Sequence, residues 1–246
     1  MPDEWKYDGH DAESLRALLD LPAVVLRERV SSTLDIAHAL GASGTPAGTL
    51  ILADEQTAGR GRGGRSWASD KGAGIWLTLM ERPVDAESIE VLSIRVGLRA
   101  APVLERHTAA PVSLKWPNDL YVGEGKLAGI LVEARWREER PEWVAIGVGI
   151  NARLPNEFAG ASSLVPETDR VEVLAELVPA IRSAAAARGT LTDAELARYA
   201  ARDLAYGRRC TAPAVGTVKG IDERGCLIVQ TASGEVAVRS GSLVLH

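Results

Sequence analysis

The sequence predicts an α+β protein that ends in a small all-β module. Three observations carry this. Up to residue 204, apolar runs of strand length are interspersed with segments of helical period. Gly123-Glu124-Gly125 joins two of those runs with the residues of a hairpin turn. At Gly207 the helical periods stop, and the last 40 residues consist of short β-like runs separated by turn residues.

The elements follow in order. Asp11–Asp20 reads as one short helix whose apolar face is Leu15, Leu18 and Leu19. Val24–Val30 is a strand. Ser31-Ser32-Thr33 then supplies a hydroxyl cap to a helix carrying Leu34, Ile36, Ala37 and Leu40, which stops near Gly41 or Gly44. Thr49–Ala53 and Ile75–Met80 are strands. Glu87–Glu105, apolar on much of its circumference through Ile89, Leu92, Ile94, Val96, Leu98 and Val103, reads as one buried helix that Pro102 should kink or end. Val112–Trp116 is a strand ending in Pro117-Asn118-Asp119. Leu127–Ala134 and Trp143–Ile150 are two more. Helices follow over Val171–Arg188 and Asp193–Leu204, with Asp169/Glu172 and Thr192/Glu195 spaced as capping boxes. Beyond Gly207 the β-like runs are Arg208–Thr211, Gly216–Ile221, Cys226–Gln230, Glu235–Arg239 and Ser242–Leu245, and together they predict a barrel-like module.

Bulk composition excludes several classes. A net charge of -5 does not suit a general polyanion-binding surface, so the positive patch at Arg60, Arg62 and Arg65 is local. Two cysteines, Cys210 and Cys226, make no disulfide framework and fit a reducing cytoplasm. The opening Met1–Trp5 is acidic and lacks the apolar core of a signal peptide, and no apolar run reaches the roughly 20 residues of a membrane span. One short N-terminal helix cannot make a helix-turn-helix, so no DNA-binding N-terminal domain is expected. Four scattered histidines and two cysteines give no metal-ligand spacing.

The most unusual stretch is QTAGRGRGGRSW, Gln56 to Trp67. Gly59, Gly61 and Gly64 satisfy a dinucleotide fingerprint, with Glu81 downstream, but Trp67–Gly74 lacks the helix whose N-terminus would bind pyrophosphate. Gly59–Ser66 nearly fits a P-loop, with Arg65 in place of the lysine and the same helix missing. An RNA-binding Arg-Gly segment is usually long and repeated, and this one is short and set between strands. A solvated hairpin-like loop and a mobile clamp over an activated phosphate remain. Elsewhere, Lys126 opens an apolar strand, where a lysine commonly marks only the strand end. Asn118 and Asp119 after a proline are ordinary turn formers. Gly147 and Gly149 inside a strand mark close approach of another backbone or a ligand.

Ser32-Thr33, QTAGRGRGGRSW, KWPNDL, KLAGILVE and GVGIN, in this order, closely resemble the biotin–protein ligase family over roughly Val24–Asn151. The resemblance implies a class II synthetase-like biotin/lipoate ligase fold, a mixed and largely antiparallel sheet packed with helices, over residues 1–206. It implies an SH3-like β-barrel over 207–246, by position and length more than by residues. The monofunctional bacterial type, without an N-terminal DNA-binding domain, fits best. The implied reaction joins biotin to ATP, with magnesium, giving biotinyl-AMP and pyrophosphate. The biotin then passes to a lysine of a biotin carboxyl carrier protein domain.

By the same resemblance, Ser32, Thr33 and Gln56 hydrogen-bond the ureido head of biotin, and Gly59 and Arg60 lie around its carboxyl group. Lys126 bridges that carboxylate and the α-phosphate, with Arg62 and Arg60 as its catalytic companions. Arg62, Arg65, Trp67, Lys115, Asn118 and Asn151 face the adenylate, Trp116 supports the turn, and Asp119 offers magnesium an oxygen. The physics agrees: two anions must meet, and pre-placed cations and glycine-rich backbone N–H groups lower that barrier. Leu34 departs from the family, which often has Asn or a small polar residue there; Asp35 is the nearby substitute. The expected protein is cytoplasmic, a monomer or homodimer, and binds neither DNA nor membrane. Two alternatives stand beside this reading: a lipoate or octanoate ligase or transferase of the same fold, and a nucleic-acid-binding module using the Arg-Gly loop.

Overall fold

The fold is that of a computed structural model, which describes residues 5–83, 85–154 and 160–246; the acidic opening Met1–Glu4 lies outside the described residues. A seven-stranded sheet forms the centre. Its strands are β1 (Ala23–Val30), β2 (Thr49–Gln56), β3 (Gly74–Glu81), β4 (Val112–Lys115), β5 (Asp119–Val122), β6 (Gly125–Arg137) and β7 (Arg140–Asn151), in the order β1-β2-β3-β7-β6-β5-β4. Only β1 and β2 pair in parallel, joined by the crossover helix α2 (Thr33–Ala42); every other neighbour is antiparallel.

Central strands are buried on both faces, so β2 and β3 read as near-continuous apolar runs. Against one face pack α4 (Leu92–Glu105) and α5 (Arg170–Ala185), which bury Leu92, Val96, Leu104, Leu174, Leu177 and Ile181 in one cluster with the sheet. Each such side chain contributes about 1.5–3 kcal/mol of burial. α2 covers the other face with a smaller cluster of Leu34, Ala37, Ile51 and Ala145.

α1 (Ala12–Leu18) is capped by Asp11, which accepts from Ser14 N–H. It buries Leu15 and the following Leu19, while Leu18 is exposed, so the expected apolar face was one residue too wide. The predicted Glu87–Glu105 helix is two helices. α3 (Ala86–Glu90) is capped by Asp85 and breaks at Val91, and α4 then runs through Pro102 to Glu105 without ending there. α5 is capped by Asp169 alone, without the reciprocal Glu172 bond. α6 (Asp193–Ala200) has the full Thr192/Glu195 box but stops four residues before Leu204. Glu195 also takes the buried Arg95 of α4 at 3.0 Å, and the same guanidinium donates to the carbonyls of Arg188, Gly189 and Thr190. The buried Arg95–Glu195 pair and these carbonyl contacts thus tie α4 to the α5–α6 connection.

β5 was not expected, because Asn118 and Asp119 after proline read as a turn. The turn is real but short: β4 ends at Lys115, and Asp119 already pairs with it in β5.

After Gly207, β8 (Arg209–Ala212), β9 (Gly216–Ile221), β10 (Leu227–Thr231), β11 (Gly234–Val238) and β12 (Val244–Leu245) form a second sheet, ordered β11-β10-β9-β8-β12. β11 and β12 do not pair with each other, so the sheet is open where a closed barrel was expected. Its inner residues Cys210, Val218, Leu227, Val229 and Leu243 belong to the same buried cluster as the main sheet. The Trp116 indole crosses between the two sheets and donates to Gly225 O at 2.9 Å. Among the described residues, no helix is long and apolar enough to cross a membrane.

Candidate functional site

The middle of the large sheet carries a cleft of about 110 Å³. Around it the fold gathers Ser32, Thr33, Gln56, Arg60, Arg62, Arg65, Trp67, Asn118, Asp119 and Lys126. Gly59 and Asn151 line a neighbouring cleft, which shares Gln56, Trp67 and Lys126 with the first. Lys115 sits behind Asp119, lining a small void with Ser93 and Tyr199.

One side of the cleft is neutral and polar. Ser32 caps α2, its hydroxyl accepting from Leu34 N–H at 3.3 Å. Thr33, the first residue of that helix, donates both its N–H and its hydroxyl to Gln56 Oε1, at 2.9 and 3.2 Å. Thr78 donates to the Thr33 hydroxyl at 2.8 Å. From Gln56 the chain continues: its amide donates to Ser69 Oγ at 2.9 Å, and that hydroxyl donates to the Trp67 carbonyl. The donors and acceptors are thereby oriented in advance; Ser32, Thr33, Ser69 and Thr78 are buried, and Gln56 is half-buried. Thr78 and Ser69 were not anticipated. Thr78 is a lone hydroxyl inside the apolar run IWLTLM, and that mismatch was the available signal.

The opposite side is cationic. Lys126 Nζ lies 2.7 Å from Asp119 Oδ1 and 4.9 Å from the centre of the Trp67 ring. The carboxylate is met at an angle that forms an ion pair but no directed hydrogen bond. Burial pushes the Arg62 guanidinium below its ordinary range, Asp119 opposes that, and Arg65 adds to it. Lys115 is lowered in the same way, by burial and then by Lys126, Arg208 and Arg65, again against Asp119. Its ammonium rests 5.3 Å over the Tyr121 ring. One carboxylate therefore faces several cations, an imbalance that favours an incoming polyanion.

Lys126 is held by its backbone. Its N–H donates to Gly160 O, its carbonyl accepts from Ser162 N–H, and Asn151 Nδ2 donates to that same carbonyl at 3.1 Å and to Ser162 O at 3.2 Å. Asn118 spends its amide on Ile130 O at 2.7 Å, fastening the turn to β6. For both asparagines the amide nitrogen is structural and the carbonyl oxygen is the group left for a ligand.

Gln56–Trp67 forms a tight hairpin. Trp67 N–H donates to Gly59 O, Gly61 N–H donates to Arg65 O, and Arg62–Gly64 makes a 3₁₀ turn at the tip. A Cβ at Gly59 would lie 2.4 Å from the Trp67 carbonyl, so the stem requires glycine. Arg65 reaches out of the cleft to Arg62 O and to Ser242 Oγ, at 3.1 Å each. Arg60 lies 3.1 Å from both Asp35 and Glu133. The Trp67 indole lies on the cross-strand pair Gly129 and Gly149: Cβ atoms there would come within 2.9 and 2.6 Å of it. Gly147 likewise makes room for Leu34. The strand glycines thus admit two side chains of the protein itself.

Among the described residues there is no group of three His, Cys, Asp or Glu that could hold a metal. Asp119 offers one carboxylate, which fits an ion that arrives on phosphate and keeps most of its water.

The chain belongs to the biotin/lipoate A/B protein ligase family, whose model matches residues 26–151; a biotin protein ligase C-terminal domain model matches 207–245. It is similar to the bifunctional ligase/repressor BirA of Bacillus subtilis, at 37% identity over 137 residues, 55% of this chain and 42% of that one. It is similar over a greater length to the biotin--[acetyl-CoA-carboxylase] ligase of Mycobacterium tuberculosis, at 33% over 214 residues, 80% of this chain and 79% of that one. The fold matches the biotin protein ligase from Aquifex aeolicus in complex with biotin and ATP, with a TM-score of 0.76, 27% identity, and coverage of 92% of this chain and 99% of that one. The chain thus spans less than half the length of the Bacillus relative.

Proposed function

We propose that the protein is a biotin–protein ligase. The observation that carries this is the two-sided cleft: a pre-oriented Thr33–Gln56 pair lines it together with Lys126 and Arg62. A neutral, hydrogen-bonding head group suits the first side and a carboxylate meeting a phosphate suits the second. That distribution matches biotin and ATP, the ligands in the Aquifex complex.

In this reading a biotin carboxylate oxygen attacks the α-phosphorus of ATP. The bond to the β-phosphate breaks, and pyrophosphate leaves. Lys126 offsets the charge of both reacting groups, and Arg62 stabilises the phosphorus as it passes through five-coordination. Magnesium would travel with the phosphates, with Asp119 as its protein oxygen. The Gln56–Trp67 hairpin keeps water from the mixed anhydride. A carrier-domain lysine then attacks the acyl carbon as the free amine, expelling AMP and losing a proton. Residues 1–206 act as the catalytic part and 207–246 as a module that helps position acceptor or nucleotide. The partner is a biotin carboxyl carrier protein domain in the cytoplasm, with neither operator DNA nor membrane involved.

The test is pyrophosphate release from ATP with biotin, lipoate and octanoate in parallel. Release with biotin alone supports the reading. Release with lipoate or octanoate moves the protein to the sister activity, and silence with all three rejects both.

A further inference from the structure

Of the three arginines of the hairpin, Arg60 alone has carboxylate partners among the described residues. Its Nη2 lies 3.1 Å from Glu133 Oε2 and 3.1 Å from Asp35 Oδ1. Arg60 sits at the hairpin stem, where it bridges to Ser66, and Glu133 sits on β6, the strand that opens with Gly125-Lys126.

Glu133 is itself oriented. The same Oε2 is 2.8 Å from His38 Nε2, and Trp143 Nε1 donates to His38 Nδ1 at 3.3 Å. An indole N–H can only donate, so Nδ1 carries the lone pair and Nε2 the proton that points at Glu133. Trp143 lies against Gly41, where a Cβ would come within 2.5 Å of its ring. Asp35, the second partner of Arg60, is steadied by the Ser31 hydroxyl at 3.1 Å. A continuous run of contacts therefore leads from helix α2 through Trp143, His38 and Glu133 to the stem of the hairpin.

We propose that Glu133, oriented by His38, is a positioning residue that holds the hairpin over the cleft by gripping the side chain of Arg60. The charge of Arg60 then serves to anchor the loop, and Arg62 serves the phosphate. This assignment rests on the ligase reading for its consequence, which is retention of the acyl-adenylate, while the anchoring itself can be tested without any ligand.

The experiment uses the full chain with Glu133→Gln, the conservative Glu133→Asp, and Glu142→Gln as a control from the same surface depression. Without ligand, the rate of tryptic cleavage after Arg60, Arg62 and Arg65 is measured. With biotin and ATP, the fraction of biotinyl-AMP that escapes is compared with the amount formed. Glu133→Gln should raise both cleavage and escape about fivefold, the size expected for a partly exposed ion pair, with its thermal midpoint and first-turnover yield kept. Glu133→Asp should recover most of the difference, and Glu142→Gln should match wild type. Wild-type cleavage and escape in Glu133→Gln would overturn the proposal. So would Glu133→Asp failing to recover while the thermal midpoint falls, because that is a packing defect. If wild type forms no adenylate at all, the ligase reading fails, and the cleavage rates still decide the anchor.

Discussion

Lys126 and Asp119 face one another across 2.7 Å at the start of two adjacent strands, each the nearest opposite charge of the other. The pair aims the ammonium before any substrate arrives. We predict that Lys126→Ala folds normally but lowers the biotin-dependent pyrophosphate burst by at least about a hundredfold, the scale of losing one preorganised charge donor. Asp119→Asn should cost less, about tenfold. A folded Lys126→Ala that keeps a tenth of the wild-type burst contradicts the assignment.

Gly149→Ala places a methyl within 2.6 Å of the Trp67 indole nitrogen. The indole must leave its seat on β6 and β7. The expected outcome is about 1–3 kcal/mol of lost stability from overpacking, together with weaker ATP binding. Thermal unfolding and a nucleotide titration measure the two; unchanged values for both mean that Trp67 is seated elsewhere.

Much of this site could be read from the chain, for uneven reasons. The hairpin declared itself through composition, because three arginines among four glycines have no structural use in a core. Gly147 and Gly149 declared a close approach, though not what approached: Leu34 and Trp67, which lie 113 and 82 residues earlier in the chain, give no local sign. Glu133 stayed silent because a glutamate closing an apolar strand reads as a strand end, and its partner Arg60 lies on another element. β5 was hidden because Asn118 and Asp119 favour turns, and this four-residue strand begins at Asp119 itself. The break at Val91 has neither Gly nor Pro, so the sequence carries no local mark of it.

Asp203 carries a pH signature. Burial raises its carboxyl above the ordinary aspartate range, opposed by N–H bonds from Ala205 and Tyr206, and Oδ2 has no partner among the described residues. A raised carboxyl contributes stability below its unfolded pKa of about 3.9 and loses it as pH rises through the folded value. Asp203→Asn keeps the accepting oxygen and removes the buried charge. It should therefore be more stable than wild type in urea at pH 7, with the advantage vanishing near pH 4. A less stable Asn variant at pH 7 refutes the sign.

Trp116→Phe removes the indole donor to Gly225 O and leaves that buried carbonyl unmet. A loss of about 1–3 kcal/mol follows. Hydrogen exchange should quicken at Asp222–Leu227 and stay unchanged at Leu77–Leu79 in β3. Equal quickening at both places would mean that the bond serves the whole fold and not the junction.

The buried cluster that runs unbroken from Leu92 and Ile94 to Val218, Leu227 and Val229 has a practical consequence for anyone dissecting this chain. Cutting at Gly207 would bare the flank of α4 to water and strand Trp116 without its acceptor. An inactive fragment of that kind would report on solubility and misfolding. The contribution of the terminal sheet to catalysis is better sought by changing single side chains, first Ser242, which Arg65 reaches, and Arg208, whose charge acts on Lys115, in a molecule that still melts as one piece.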